Sequence, residues 1–233
     1  MFIDTRLGNC IDVMQVIDKT QIDAVITDPP YNIGFQGYNS YADNLPDDEY
    51  IEALSTFQQM PVAIIHYPEE MMRWVIPALG APDYVSAWCY NSNISRRFRL
   101  INYYGLKPEY SRIKKSYKNP TDRRIKKLID NGSVGTSLYE WWDDIQIVKN
   151  VSKEKSIHPC PVPIKLMERI ILLTTNEGDT ILDPFMGGGT TGLACIRTNR
   201  NFIGIEIDPK YLENANGRIK NEQILQGVNI GMD

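Results

Sequence analysis

The run Thr27-Asp28-Pro29-Pro30-Tyr31-Asn32 leaves the apolar stretch "IDAVI" and gathers a carboxylate, two prolines and a phenol ring within four positions. Proline fixes φ and lacks an N–H, so Pro29-Pro30 hold an extended turn and leave the carbonyls of Asp28 and Pro29 without a local helical donor. Carboxylate and carbonyl form an acceptor pair, and Tyr31 adds an aromatic face. An exocyclic amine on a nucleobase is the complement, with two N–H donors and a π-face. Its lone pair is delocalised into the ring. Accepting both hydrogens localises that pair and aims it at an electrophilic carbon, so such a site works by orientation and electrostatics. Asp28 need not be a strong base, because the proton leaves more readily as the nitrogen becomes cationic. A base edge is out of reach inside a duplex; the target must be flipped out and stacked, a task that falls to Tyr31. Alone, the run also reads as a rigid proline turn with a packed tyrosine.

A second cluster, "ILDPFMGGGTTG", places Gly187 to Gly189 after a strand-like run and before a helix that opens on Thr190 and Thr191. Without a Cβ the loop lets backbone approach a ligand, and the helix start offers free N–H donors. Gly187, Gly189 and Gly192 satisfy the dinucleotide spacing, with Glu206 about twenty residues on to take ribose hydroxyls. Asp183 distinguishes the ligands. A carboxylate at the strand end repels a pyrophosphate but suits a ligand with an ammonium group and a sulfonium centre, which describes S-adenosylmethionine (SAM). The competing readings are a tight turn in which Asp183 caps Thr190 or Thr191, and a surface role for Glu206, with Asp208 a rival for the ribose.

These clusters need a sheet to position them. Runs rich in β-branched and aromatic residues alternate with helical patterns, the signature of β-α units on a mostly parallel sheet. Seven strands are predicted, over 1–7, 23–28, 62–67, 84–90, 109–117, 180–185 and 201–207. Helices are predicted over 46–60, 68–80, 95–105, 162–178, 190–200 and 210–226, several with Pro and acids at the start or Gly at the end. Between 118 and 156 the pattern gives one short basic helix closed by Asn131-Gly132, then a loop carrying Trp141 and Trp142.

The 233 residues suffice for one core, and no linker-like tract divides them. The sequence has no secretory signal and no span-length apolar run. Its four cysteines are scattered without zinc-like spacing, so the expectation is a reduced protein of the cytoplasm, in a prokaryotic or phage-infected cell, with no metal. A net charge of −4 argues weakly against a nucleic-acid partner, but it hides a segregation. From Arg96 to Lys127 there are 12 Lys and Arg against Glu109 and Asp122, interleaved with Phe98 and four tyrosines. Such a block reads as a polyanion-binding face or as a solvated surface.

Taken together, "TDPPYN" followed by "HPCPVPIKLMERII", "ILDPFMGGGTTGLAC" and "FIGIEIDPKY" resembles the permuted β-group of amino-methylating DNA methyltransferases. The likeness covers roughly residues 1–40 and 156–216. It implies an α/β class I SAM-dependent methyltransferase fold: a seven-stranded, mostly parallel sheet with one antiparallel strand and helices on both faces. By resemblance, Asp28, Pro29, Pro30 and Tyr31 are catalytic, with Asp28 also beside the cofactor. Asp183, Phe185, Gly187, Gly189 and Thr190 cradle SAM, Glu206 binds its ribose, Asn9 and Cys10 belong to the adenine-binding segment, and His158 and Pro159 close the pocket. The expected DNA contacts are Arg112, Lys114, Lys115, Lys118, Arg123, Arg124, Lys126 and Lys127. The chain is then one methyltransferase domain over 1–233, with a catalytic half at 1–117, a SAM-binding half at 157–233 and a recognition insertion at 118–156. DNA is the expected partner, and a homodimer is compatible with the sequence. Asp28 in place of Ser favours adenine N6, whereas Cys160-Pro161-Val162-Pro163 is closer to cytosine-N4 relatives, and Gly188 stands where Ser is usual. A nucleic-acid-binding module without activity and a dinucleotide-dependent oxidoreductase are the readings from other classes.

Overall fold

A computed structural model describes residues 1–38, 43–93, 95–149, 154 and 156–228. The chain opens with β1 (Ile3–Leu7), α1 (Cys10–Val16), β2 (Ala24–Thr27), α2 (Asp47–Ser55) and β3 (Val62–His66). Next, α3 (Pro68–Glu70) runs through a π-helical turn at Met71–Val75 into α4 (Ile76–Leu79), which is followed by β4 (Tyr84–Cys89) and β5 (Phe98–Tyr104). An excursion carries β6 (Lys114–Lys115), α5 (Arg123–Asp130) and β7 (Thr136–Ser137), and the chain rejoins the body at β8 (Trp141–Trp142). The last part alternates α6 (Ile164–Thr174), β9 (Thr180–Asp183), α7 (Thr190–Arg197), β10 (Asn201–Glu206) and α8 (Pro209–Leu225).

The main sheet has the order β1-β10-β9-β2-β3-β5-β4-β8. Only β5 runs against its neighbours, pairing antiparallel with β3 and β4; the other ladders of this sheet are parallel. Two buried layers result from the two-residue period of the strands. Ala24, Ile26, Ala63 and Ile65 face α6 and α7, whereas Val25, Val62, Ile64 and Leu182 face Met14 of α1, Leu54 of α2 and Trp74. This is the class I SAM-dependent methyltransferase fold: the expected seven strands with one reversed, extended by a two-residue eighth strand at the edge.

Two sequence expectations change places. The helix predicted over 95–105 is largely strand β5, and the strand predicted over 109–117 is a 3-10 turn at Tyr110–Arg112 and the two-residue β6 of a separate ribbon with β7. The closing Gly105 invited a helix reading, but the segment carries the strand formers Phe98, Ile101, Tyr103 and Tyr104, and pairing on both sides decides it. The short basic helix at Arg123–Asp130 is present, capped by Asp122, whose side chain accepts from the N–H groups of Arg124 and Ile125. Trp142 is fully buried in the main core beside Ile145, and Trp141 is 62% exposed.

Candidate active site

In a parallel sheet, ligands collect at the carboxyl ends of the strands, where the loops diverge. Here β2 ends into Asp28, β9 into the glycine loop and β10 at Glu206. A cavity of about 550 Å³ opens at this edge, and its wall includes Asn9, Cys10, Asp28, His158, Phe185 and Glu206. Gly187 and Pro30 also line it.

The glycine loop is shaped for close approach. Gly187 has φ 50°, and a Cβ there would stand 3.0 Å from the His158 ring. Gly189, at φ 76°, is the N-cap of α7, and a Cβ on it would lie 2.9 Å from that of Ala215. Glu206 is buried and accepts from the Asp208 N–H at 2.8 Å; burial pushes its carboxyl up, and backbone donors partly oppose the shift. Asn9 caps α1 through the Ile11 N–H at 2.9 Å, and burial pushes the Cys10 thiol up to about 12, so it presents a neutral surface. The His158 ring packs edge-on against Tyr211, with centroids 4.9 Å apart. A glycine loop in which an added Cβ would crowd His158 and Ala215, together with acidic walls from Glu49, Asp28, Glu206 and Asp208, fits a cationic nucleoside such as SAM.

Asp183 occupies a different position from the one its type implies. It is buried and accepts from the Thr27 hydroxyl at 2.7 Å, the Thr191 hydroxyl at 2.5 Å and the Phe185 N–H at 3.1 Å. Burial pushes it up to about 6 against those donors. It ties β2 to the glycine loop and, with Thr190, lines a small neighbouring cavity rather than the large one. Pro159 does not line either cavity.

Around Asp28 the side chains hold one another. Tyr31 donates its hydroxyl to Asp28 Oδ1, and its ring stacks on His66 at 4.3 Å. Tyr50 of α2 donates to the Pro30 carbonyl and lies 3.2 Å from His66 Nε2. The Pro29 carbonyl accepts no hydrogen bond among the described residues. Asn32, at φ 56°, turns the chain back, and buried Asp43 accepts from the N–H groups of Asn32, Ile33 and Phe35 at 2.7–3.1 Å. Burial pushes Asp28 up, opposed by Arg99 and by the Tyr31 hydroxyl. Burial and the cations Arg99 and Arg96 push His66 down to about 3, so the imidazole is neutral.

Comparison with known proteins is decisive for the family. Residues 65–217 match the family model described as DNA methylase. The chain belongs to the DNA methylase family. It is a SAM-dependent DNA methyltransferase acting on exocyclic amines, N6 of adenine or N4 of cytosine. Over 248 residues it is 28% identical to the Type II methyltransferase M.HpaI of Haemophilus parainfluenzae, an alignment covering 94% of this chain and 76% of that one. Among solved structures, M1.HpyAVI in complex with SAM matches with a TM-score of 0.62 at 22% identity, covering 94% of this chain and 99% of that one. The cytosine-N4-specific PvuII DNA methyltransferase matches at 0.66 and 15% identity, covering 97% and 92%.

In this methylase the fold brings Asn9, Cys10, Asp28, Pro30, His158, Phe185, Gly187 and Glu206 to one cavity. The predicted DNA contacts divide into three that meet other groups of the protein and five that are exposed. Arg112 donates to the Thr175 carbonyl at 2.7 Å, and Lys115 pairs with Asp143 at 3.4 Å. Lys114 donates to Ser137, while Lys118, Arg123, Arg124, Lys126 and Lys127 are exposed. Sequence reasoning passed over Tyr50, His66, Asp43 and Arg99. Tyr50 and His66 look like core positions of a helix and a strand. Arg99 was hidden inside the basic block. Among the described residues no helix is long and apolar enough to cross a membrane.

Proposed function

We propose that this methylase transfers the methyl group of SAM to the N6 amine of adenine in DNA. The observation that carries the reading is Asp28, a carboxylate at the end of β2 on the wall of the large acidic cavity, followed by the Pro29 carbonyl, which accepts no hydrogen bond among the described residues. SAM, when bound, supplies an electrophilic methyl group on a sulfonium centre. Gly187 and Gly189 would let the backbone lie against it, Glu206 would take its ribose hydroxyls, and His158 would cover the loop.

On the DNA side, Asp28 and the Pro29 carbonyl accept the two amine hydrogens and fix the direction of the nitrogen lone pair. Tyr31 then releases Asp28 and packs against the base. Asp28 or water receives the proton after transfer, when the nitrogen is cationic and acidic. No covalent bond to the protein is required.

Adenine is favoured because the first residue of the motif is Asp28. Cytosine N4 is the second reading, and it rests on Cys160-Pro161-Val162-Pro163, of which Cys160, Pro161 and Val162 line the small cavity next to Asp28. Labelled SAM with DNA, followed by nucleoside analysis, separates them: label in N6-methyladenine supports the first, and label in 4-methylcytosine alone overturns it. We also read the chain as one permuted domain, with 1–117 catalytic and 157–233 holding SAM. The exposed cations of 118–156 would track phosphates, while Trp142 and Ile145 of that segment serve the main core.

A further inference from the structure

Arg99 is the second residue of β5, directly across from Trp88 of β4. Because β5 is the reversed strand, its beginning lies at the edge where the parallel strands end, and so Arg99 enters the site from a strand start. Its side chain is 16% exposed, and a guanidinium nitrogen stands 3.7 Å from Asp28 Oδ2, itself on a side chain 13% exposed. The guanidinium carbon lies 5.1 Å from the centre of the Tyr31 ring, 5.3 Å from those of Tyr67 and Trp88, and 5.8 Å from that of Tyr90. Arg99 Nε is buried and has no hydrogen-bond partner among the described residues.

This arrangement is costly for a purely structural residue. A buried guanidinium with an unsatisfied donor loses more solvation than an aliphatic side chain of the same length would. Four aromatic rings compensate through their negative faces, and that attraction grows as water is excluded. Among the described residues Arg99 meets no carboxylate squarely; the 3.7 Å separation from Asp28 leaves the Asp28 oxygens room for another donor.

We infer that Arg99 is a positioning residue for methyl transfer: it keeps Asp28 ionised as an acceptor and fixes the Tyr31 ring beside it, without touching the base. The inference rests on the reading of Asp28 as the amine acceptor. A cation held at this distance favours the carboxylate over the acid, so Asp28 can accept the amine hydrogens at neutral pH although it is buried. Arg99 provides that charge whether or not Tyr31 is donating, which matters when the Tyr31 hydroxyl gives way to the amine. The other groups that act on Asp28 are Tyr31 in its own loop, Tyr38 across the cavity and Asp183 at the end of β9. None of these is a cation.

The test uses the full chain with Arg99→Met, which keeps length and loses charge, and Arg99→Lys, which keeps charge and loses the planar stack. The measurements are kcat against pH with DNA, and the dissociation constant for SAM. For Arg99→Met the acid limb of the kcat profile moves up by about 1 pH unit or more. Its kcat at neutral pH falls roughly 10- to 100-fold and recovers partly as pH rises, while SAM affinity stays within about 3-fold. Arg99→Lys keeps the acid limb of the wild type and loses less kcat. An unmoved acid limb in Arg99→Met overturns the inference, as does a loss of SAM affinity that accounts for the drop in rate. Should Arg99→Met fail to fold, Arg99→Gln takes its place with the same outcomes: an acid limb shifted up supports the inference, and an unmoved one overturns it. A wild-type chain that methylates no DNA defeats the underlying reading, and the inference with it; an active wild type with an indifferent Arg99 defeats the inference alone.

Discussion

The carboxyl-end edge of the main sheet and the excursion over 114–137 hold charge in opposite ways. At the edge, Asp28, Asp183, Glu206, His66 and Arg99 are all largely buried, and each is displaced from its ordinary pKa by burial and by its neighbours. In the excursion, α5 has no buried residue, and the Arg124 side chain is 91% exposed. On the proposed function, the difference separates two tasks. Chemistry on a single amine demands groups fixed to a fraction of an ångström, whereas attraction to phosphates needs only charge density and tolerates motion. Substitutions at the edge should therefore act on rate and cofactor affinity, and those in the excursion on DNA affinity and its salt dependence.

The largest effect expected is at Asp28. Asp28→Ala should lower kcat by about 10³-fold or more while SAM affinity changes only a few-fold, measured by label transfer and by calorimetric titration. A comparable loss of SAM binding would make Asp28 a cofactor residue and erase the distinction drawn at this edge. Gly187→Ala comes next. Its φ of 50° and the 3.0 Å approach to the His158 ring predict about 10-fold weaker SAM binding and about 1–2 kcal/mol lower stability, read by titration and by denaturant unfolding.

Asp183 sharpens the comparison through pH. Its folded carboxyl is raised to about 6, above the unfolded value, so the native state binds the extra proton between the two. Its contribution to stability is therefore full below the unfolded pKa and declines as pH rises toward 6. Relative to Asp183→Asn, the wild type should lose about 1–3 kcal/mol of unfolding free energy between pH 4 and about 6.5. A difference between the two that is flat with pH would place the proton elsewhere. The smallest catalytic effect belongs to the excursion. Lys126→Ala with Lys127→Ala should leave kcat at saturating DNA unchanged, weaken DNA binding and reduce the salt slope by about 1–2.

The parts of this molecule that were legible in the sequence are those where one residue type has a single physical use. Adjacent prolines after a buried strand, and three glycines before a helix, restrict backbone so narrowly that Asp28, Gly187 and Glu206 could be placed at one edge before any coordinates. Asp183 stayed open between two readings because a carboxylate at a strand end suits either a cation or neighbouring hydroxyls, and only packing reveals that the hydroxyls of Thr27 and Thr191 donate to its oxygens. The strand at Phe98–Tyr104 was masked by the arginines before it and the glycine after it. Missing that strand also hid Arg99, since its arrival at the site depends on β5 running backwards. Tyr50 and His66 carry no local signal; they matter because of what Pro30 and Tyr31 bring to them across the fold.

The most direct test of the central claim is nucleoside analysis of DNA methylated with labelled SAM by the wild type and by Asp28→Ala. The account predicts label in N6-methyladenine with the wild type and none above background with Asp28→Ala. Label in 4-methylcytosine alone, or equal label from both proteins, would contradict it.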